Sequence, residues 1–130
     1  MADPDSSNAL GPTAREGRLR LRVRRPGGGV VVVQASGSLD AEGERFLTEP
    51  MRQRLAGTAS KVVLDLSGVS FADSAGVRVL LEAANRAECK GKEFVLVSCP
   101  PVDRLLRLLG LTERFVRASS AEAAAAANES

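Results

Sequence analysis

The polar side chains best placed for chemistry in this sequence are those of Asp73 and Ser74. They stand between two largely apolar segments, residues 61–66 and residues 77–88. The first segment has the composition of a buried strand, and the second has apolar residues at helical spacing. A hydroxyl at the start of a helix lies beside unpaired backbone N–H groups and the positive end of the helix dipole. This position therefore favours the binding or the covalent addition of an anion.

Two roles are open for Ser74 on this evidence. Either Ser74 or Asp73 caps the helix, which contributes about 1 kcal/mol of stability. Alternatively, the hydroxyl accepts a phosphoryl group, which adds about −1.5 to −2 charges near neutral pH. Asp73, together with Asp40 if it is close in space, would then make the modified site strongly negative. Residue spacing alone does not choose between the two roles.

The absence of histidine removes the catalytic interpretations of Ser74. Without an imidazole there is no Ser-His-Asp or Cys-His arrangement. A hydrolase elbow would also need glycine on both sides of the serine. Asp65 and Asp73 lack a third acidic ligand at a suitable spacing, so we expect no metal site. The sequence predicts a protein that is not an enzyme.

Cysteine usage and the terminal segments indicate a cytoplasmic protein. Cys89 and Cys99 have nine residues between them, a spacing that fits no zinc motif, and we interpret them as two small buried thiols. The amino terminus is acidic and lacks the apolar core of a secretion signal. No segment approaches the roughly 20 apolar residues that span a bilayer, so we expect no membrane association.

Composition is compatible with one soluble domain. The chain has 130 residues, 44% of them hydrophobic, and a net charge of +2. It has four phenylalanines and no tryptophan or tyrosine, so stacking platforms for bases are scarce. The alternating arginines of the first strand are interpreted as its solvated face, and we expect no nucleic-acid partner. Only three of the 18 basic residues are lysines, which suggests a bacterial source with a GC-rich genome.

The periodicity predicts an α/β fold in a single domain, residues 18–118. Residues 1–17 are predicted to form a disordered arm, and residues 119–130 an alanine-rich C-terminal helix or tail. An N-terminal antiparallel hairpin is followed by strands that alternate with helices, and such strands pair in parallel. We therefore expect a mixed sheet of four to five strands with helices packed mainly on one face. Pro50 is expected to kink or split the first helix.

Residues 62–76 resemble the core signature of STAS domains, specifically those of the anti-sigma factor antagonists. Two further segments agree with this resemblance. Residues 37–40, Gly-Ser-Leu-Asp, look like the family's motif after its second strand, and residues 108–112 look like its late helix-end motif. The resemblance covers about residues 19–115, which is nearly the whole predicted domain.

The resemblance implies a partner switch controlled by phosphorylation. In this family the unphosphorylated protein binds an anti-sigma factor that is also a serine kinase, and so frees a sigma factor. The kinase phosphorylates the serine that corresponds to Ser74, and a metal-dependent serine phosphatase reverses the reaction. The antagonist itself has no catalytic activity and no cofactor. The predicted partner-binding residues are Asp40, Asp73, Ala75, Gly76 and Arg78.

Two positions depart from the family pattern. Ala75 stands where relatives often have a second hydroxyl residue, which leaves Ser74 as the single acceptor of the pair. Arg78 stands where relatives commonly have glycine, four residues after Ser74 and on the same helical face. Arg78 is either an exposed arginine at an unfavourable helix end, or a residue that pairs with the phosphate or alters the choice of partner protein. The alternative function is a constitutive scaffold or small-ligand sensor in which Ser74 only caps a helix.

Overall fold

Five strands form one sheet in the order β1-β2-β3-β4-β5 in the computed structural model, which describes residues 18–126. The strands are β1 (Arg20–Gly27), β2 (Val30–Leu39), β3 (Lys61–Ala72), β4 (Glu93–Val97) and β5 (Val116–Ala118). The helices are α1 (Ala41–Ala56), α2 (Ser74–Lys90), α3 (Pro100–Leu108) and α4 (Ala121–Ala126), with a 3-10 turn at Thr112–Arg114. The predicted arm at residues 1–17 and the end of the predicted tail, residues 127–130, lie outside the described residues.

The sheet is mixed, as the sequence predicts. β1 and β2 pair antiparallel, and every later neighbouring pair of strands is parallel. The hairpin turns at Gly28, whose φ of +66° belongs to the left-handed region that glycine adopts without strain. Each parallel pair requires a crossover connection, and α1, α2 and α3 are the helices within those crossovers. The carboxyl ends of β2 and β3 therefore lie side by side at one edge of the sheet.

Helices cover the two sheet faces unequally, which confirms the predicted layering. The main core lies between one face and the helices α1, α2 and α3, and it includes Leu64 and Leu96 of the sheet. The opposite face carries a smaller apolar cluster covered by α4, whose Ala121 and Ala124 are buried against five valines. The strand segment 30–33 is buried throughout because its side chains supply both clusters.

Of the two effects expected of Pro50, a kink or a split of the first helix, the structure excludes the split. α1 is assigned as one helix of 16 residues with Pro50 inside it. Proline removes one backbone hydrogen bond and costs about 3 kcal/mol in a helix interior. Leu47, Met51 and Leu55 are fully buried on the sheet side of α1, and each such burial contributes about 1.5–3 kcal/mol. Their combined burial outweighs the cost of the proline.

Two further expectations need correction. Cys89 is exposed near the end of α2, so only Cys99 is a buried thiol. The third strand extends beyond Leu66 to Ala72, because the polar residues after Leu66 continue the pairing with β2 through two register shifts. This extension places the end of β3 directly before Asp73.

The helix α4 is fastened to the sheet by a buried lysine. Lys61 at the start of β3 is only 2% exposed, and its Nζ donates to the carbonyl oxygen of Ala124 at 2.6 Å. Glu93 on the neighbouring strand lies 3.9 Å from the same nitrogen. A buried ammonium group requires such partners, since burial without them is costly. Among residues 18–126, no helix is both long enough and apolar enough to cross a membrane.

Candidate functional site

Two helices begin side by side at the carboxyl edge of the sheet. Leu39, the last residue of β2, pairs with Ala72, the last residue of β3. The next residues, Asp40 and Asp73, precede α1 and α2. The backbone N–H of Asp73 donates to the carbonyl oxygen of Leu39 at 3.2 Å, which ties the two helix starts together. The structure therefore brings Asp40 to the serine junction.

Both aspartates act as N-caps. Oδ1 of Asp40 accepts from the backbone N–H of Gly43 at 2.9 Å. Oδ1 of Asp73 accepts from the backbone N–H of Ala75 at 3.0 Å. Each cap satisfies a backbone donor that the helix leaves unpaired and contributes about 1 kcal/mol. The capping role that the sequence left open between Asp73 and Ser74 thus belongs to Asp73.

A glycine three residues after each aspartate allows the helix to lie against β2. A Cβ atom at Gly43 would stand 2.5 Å from the carbonyl oxygen of Ser38. A Cβ atom at Gly76 would collide with the carbonyl oxygen of Leu39 and stand 2.6 Å from its Cγ. Gly76 is buried, so it positions α2 and offers no side chain to a partner. Sequence reasoning missed Gly43, although its Asp-x-x-Gly spacing repeats that of Asp73 and Gly76.

Ser74 is the first residue of α2 and is exposed. Within the described residues, its hydroxyl makes no hydrogen bond to another group of the protein, and the following Ala75 is half-buried. Phe71, three residues earlier on the same edge, is 51% exposed. An accessible hydroxyl and an exposed aromatic residue therefore lie three positions apart in the chain, where a partner protein can reach both.

Arg78 joins the two helices next to Ser74. Its Nε and Nη2 donate to Oε2 and Oε1 of Glu44 on α1, at 3.1 and 2.9 Å. The hydrogen bond and charge of Glu44 raise the pKa of the Arg78 guanidinium, and the charge of Asp73 adds to this effect. The arginine side chain remains 66% exposed. Glu44 is a residue that sequence reasoning missed, because a contact between two helices leaves no local pattern.

Within residues 18–126, no histidine or metal-binding cluster lies beside Ser74 to activate its hydroxyl. Asp73 is engaged as a cap, and among residues 18–126 no three acidic or cysteine side chains gather as a metal site. On the neighbouring helix start, Arg18 lies 3.5 Å from Glu42 and 5.4 Å above the ring of Phe46. These contacts link the residue two positions before β1 to the side chains of α1.

Comparison with known proteins gives a family match and a relative of known name. The chain matches the family described as "Mlab, STAS domain" over residues 21–117. It is 33% identical to an anti-sigma F factor antagonist of Paenibacillus polymyxa over 85 residues, which is 64% of this chain and 73% of that protein.

Solved structures show the same fold. A crystal structure of an anti-sigma factor antagonist from Mycobacterium paratuberculosis superposes with a TM-score of 0.75 at 25% identity, covering 98% of this chain and 97% of that chain. The Bacillus anti-sigma factor antagonist SpoIIAA in its unphosphorylated form gives a TM-score of 0.69 at 20% identity, covering 84% of this chain and 96% of that chain. With a family match across most of its described residues, the chain belongs to the STAS-domain family of anti-sigma factor antagonists.

Proposed function

We propose that this protein is an anti-sigma factor antagonist switched by phosphorylation of Ser74. The unphosphorylated form binds a kinase-type anti-sigma factor and so releases a sigma factor. The anti-sigma factor phosphorylates Ser74 and ends the interaction, and a metal-dependent serine phosphatase restores it. The family membership supports the antagonist role, and the geometry of α2 supports the choice of Ser74.

The observation that carries the proposal is that Asp73, and not Ser74, caps α2, which leaves the Ser74 hydroxyl exposed. Asp73 caps α2 through the backbone N–H of Ala75 at 3.0 Å, so the exposed hydroxyl of Ser74 has no structural duty. A phosphoryl group on that hydroxyl leaves the cap in place. The positive end of the helix dipole stabilises the added anion. Modification is therefore compatible with the folded state, as a reversible switch requires.

The switch acts on the partner surface through charge and bulk. Ser74 directly follows Asp73, and Asp40 caps the adjoining helix start. A phosphate adds about −1.5 to −2 charges to a surface that is already acidic. A partner seated on Asp40, Asp73, Ala75 and Arg78 would meet both the volume of the phosphate and its repulsion of acidic groups. Loss of binding follows from these local changes.

Arg78 is proposed to exchange partners when Ser74 is phosphorylated. Residues four apart on a helix are neighbours on its surface, so the phosphate is within reach of the Arg78 guanidinium. Glu44 holds that guanidinium in the unmodified protein. A phosphate dianion is the stronger competitor because it carries more charge and three acceptor oxygens. The exchange would release Glu44 and remove an ion pair between α1 and α2.

The test combines binding with phosphate mapping. The protein is incubated with ATP and candidate kinase-type anti-sigma factors, and complex formation is followed by calorimetry before and after the reaction. We expect one phosphoryl group at Ser74 by peptide mass spectrometry and loss of the complex once it is present. Ser74→Ala should bind and remain unmodified. Ser67→Ala, which changes an exposed serine on β3, should behave as wild type.

A contrary result would leave the scaffold alternative. If kinases bind the protein tightly and none modifies Ser74, the switch is wrong and the chain acts as a constitutive binding module. The capping role which that alternative gave to Ser74 is already taken by Asp73. A modified protein that still binds its kinase unchanged would likewise contradict the switch.

A further inference from the structure

The excess positive charge of residues 18–126 lies entirely in the segment that contains the first hairpin, residues 18–39. Residues 18–39 contain five arginines and no acidic residue. Residues 40–126 contain 12 basic and 12 acidic residues, so the rest of the body is balanced. Four of the five arginines belong to β1: Arg20, Arg22, Arg24 and Arg25. Within residues 18–126, none of these four forms an ion pair.

Three of these arginines share one face of the sheet. Arg20, Arg22 and Arg24 alternate along β1, and alternate residues of a strand project from the same side. Arg24 pairs with Val32, a member of the apolar cluster under α4, which identifies the face. The other two arginines pair with polar, half-buried residues of β2 that lie outside that cluster. The row of arginines is therefore open to solvent along most of its length.

The strand that carries this row is an edge strand. β1 pairs with β2 on one side, and no described strand lies on its other side. Its outward backbone N–H and C=O groups are available to a further strand. On the opposite sheet face, Leu21 and Val23 are only partly buried where they pack against the main core. The edge thus offers backbone groups, a basic face and an apolar face.

We propose that β1 is a docking site for an acidic, extended segment of a partner protein, which adds as a sixth strand. Acidic residues at every second position would lie opposite Arg20, Arg22 and Arg24. Directly opposite side chains in such a pair are about 4.5–5.5 Å apart at Cβ, close enough for ion pairs. Apolar residues at the intervening positions would extend the core beside Leu21 and Val23. Main-chain hydrogen bonds supply affinity, and the side-chain alternation supplies specificity.

The positive charge of β1 favours an acidic partner strand over a second copy of β1. Pairing of two β1 strands would place arginines near one another, and like charges across a strand pair are destabilising. The same arginines that prevent self-association therefore favour an acidic strand. A nucleic acid would be held at a basic surface by phosphate contacts and base stacking, and the hairpin, residues 18–39, contains no aromatic residue. The site is independent of the Ser74 switch and requires neither kinase nor phosphate.

Two labelled peptides of equal composition and charge test the proposal with the full chain. One contains Glu-Val-Glu-Val-Glu, and the other contains Glu-Glu-Glu-Val-Val, each flanked by Gly-Ser. We expect fluorescence anisotropy to show about tenfold tighter binding of the alternating peptide, since only it can pair all three acids while burying its valines. Amide chemical-shift changes should be confined to β1 and its β2 neighbours.

Matched arginine variants complete the test. Replacement of Arg20, Arg22 and Arg24 together by glutamine should abolish the preference for the alternating peptide. The control changes Arg45, Arg104 and Arg107 to glutamine. These arginines are exposed and lie in residues 40–126, where basic and acidic residues are equal in number. The control should bind both peptides as wild type does. Equal weakening by both triple variants, or equal binding of both peptides, would overturn the site. An oligonucleotide of equal charge that binds more tightly through the same arginines would reassign it to nucleic acid. The shift mapping on wild-type protein decides the matter if the first triple variant does not fold.

Discussion

Arg78 on α2 holds both carboxylate oxygens of Glu44 on α1, and it does so one helical turn from the exposed hydroxyl of Ser74. This bidentate pair links the amino-terminal parts of two helices whose starts are already joined by the hydrogen bond from the Asp73 N–H to the Leu39 carbonyl oxygen. A charge added to Ser74 therefore acts on a contact between two elements and not on one side chain alone. We therefore expect phosphorylation of Ser74 to change the ion pair between α1 and α2.

The pKa of a phosphoserine installed at position 74 should report on Arg78. A guanidinium near the phosphate favours the dianion, so the second phosphate pKa should lie below that of a free phosphoserine. Arg78→Gln should raise this pKa. Glu44→Gln should lower it further, because the change frees Arg78 and removes a negative charge. The measurement is a pH titration followed by phosphorus NMR.

Arg107→Gln is the control for this titration, because Arg107 is exposed on α3. It should leave the phosphate pKa unchanged. An Arg78→Gln protein that titrates like wild type would show that Arg78 stays with Glu44 after phosphorylation. Since the phosphoserine is incorporated synthetically, this result is independent of whether a kinase for Ser74 is found.

Capping and charge at Asp73 can be separated by two substitutions. Asp73→Ala removes the acceptor for the Ala75 N–H and should cost about 0.5–2 kcal/mol of stability. Asp73→Asn keeps an acceptor oxygen and should cost much less, since asparagine caps about as well as aspartate. Ser74→Ala should be nearly neutral. Urea denaturation measures all three, and a Ser74→Ala loss as large as that of Asp73→Ala would return the cap to the serine.

Gly76→Ala should destabilise the protein although alanine is the better helix former. The new Cβ would stand 2.6 Å from Cγ of Leu39 and collide with its carbonyl oxygen. Overpacking of this kind costs about 1–3 kcal/mol, which exceeds the gain of about 1 kcal/mol in helix propensity. Gly57→Ala is the matched control, because its Cβ would have only ordinary contacts at 3.5 Å. Its stability should equal or exceed wild type.

A second ion-pair cluster between α1 and α2 predicts a dependence of stability on pH. Glu82 accepts from Nε of Arg86 at 2.9 Å and from Nε of Arg52 at 3.0 Å. The Arg86 hydrogen bond, reinforced by Arg52 and opposed by burial, lowers the pKa of Glu82. A lowered folded-state pKa means that the contribution to stability is present above the unfolded-state pKa and is lost as pH falls through the folded-state value.

Glu82→Gln should therefore be less stable than wild type at pH 7, by up to about 1 kcal/mol because the group is partly exposed. The difference should vanish on acidification. Glu113→Gln changes an exposed glutamate that makes no ion pair within residues 18–126, and it should show no such trend. A pH-independent penalty at Glu82 would mean that its packing, and not its charge, stabilises the helix pair.

The elements of this fold follow from local patterns, whereas their limits depend on contacts between them. Apolar runs and helical stripes predict the hairpin, the parallel strands β3 and β4 and the helices in their observed order, whereas the short strand β5 has no such pattern. The helix is not split at Pro50, because the burial of Leu47, Met51 and Leu55 against the sheet offsets the cost of the proline, and local helix propensity does not include that burial. The length of β3 beyond Leu66 depends on pairing with β2, which its polar residues do not reveal.

Some residues of the candidate site are likewise predictable from local patterns, and others depend on contacts between elements. Asp40, Asp73 and Ser74 are visible in the sequence because caps and strand ends have local signatures. The repeated Asp-x-x-Gly spacing could also have indicated Gly43. Glu44 could not be found, since nothing in the sequence states which residue of one helix faces Arg78 on another. Contacts between residues of different helices or strands are the part of a site that only the three-dimensional structure reveals.

The buried amine of Lys61 makes the docking of the last helix observable. Its Nζ is enclosed under α4 and bonded to the carbonyl oxygen of Ala124. A reagent that acylates amines can reach this nitrogen only while α4 is lifted from the sheet. The acylation rate of Lys61, set against that of the exposed Lys90, therefore measures how often the C-terminal helix opens. Lys61 is therefore a chemical probe for the opening of α4.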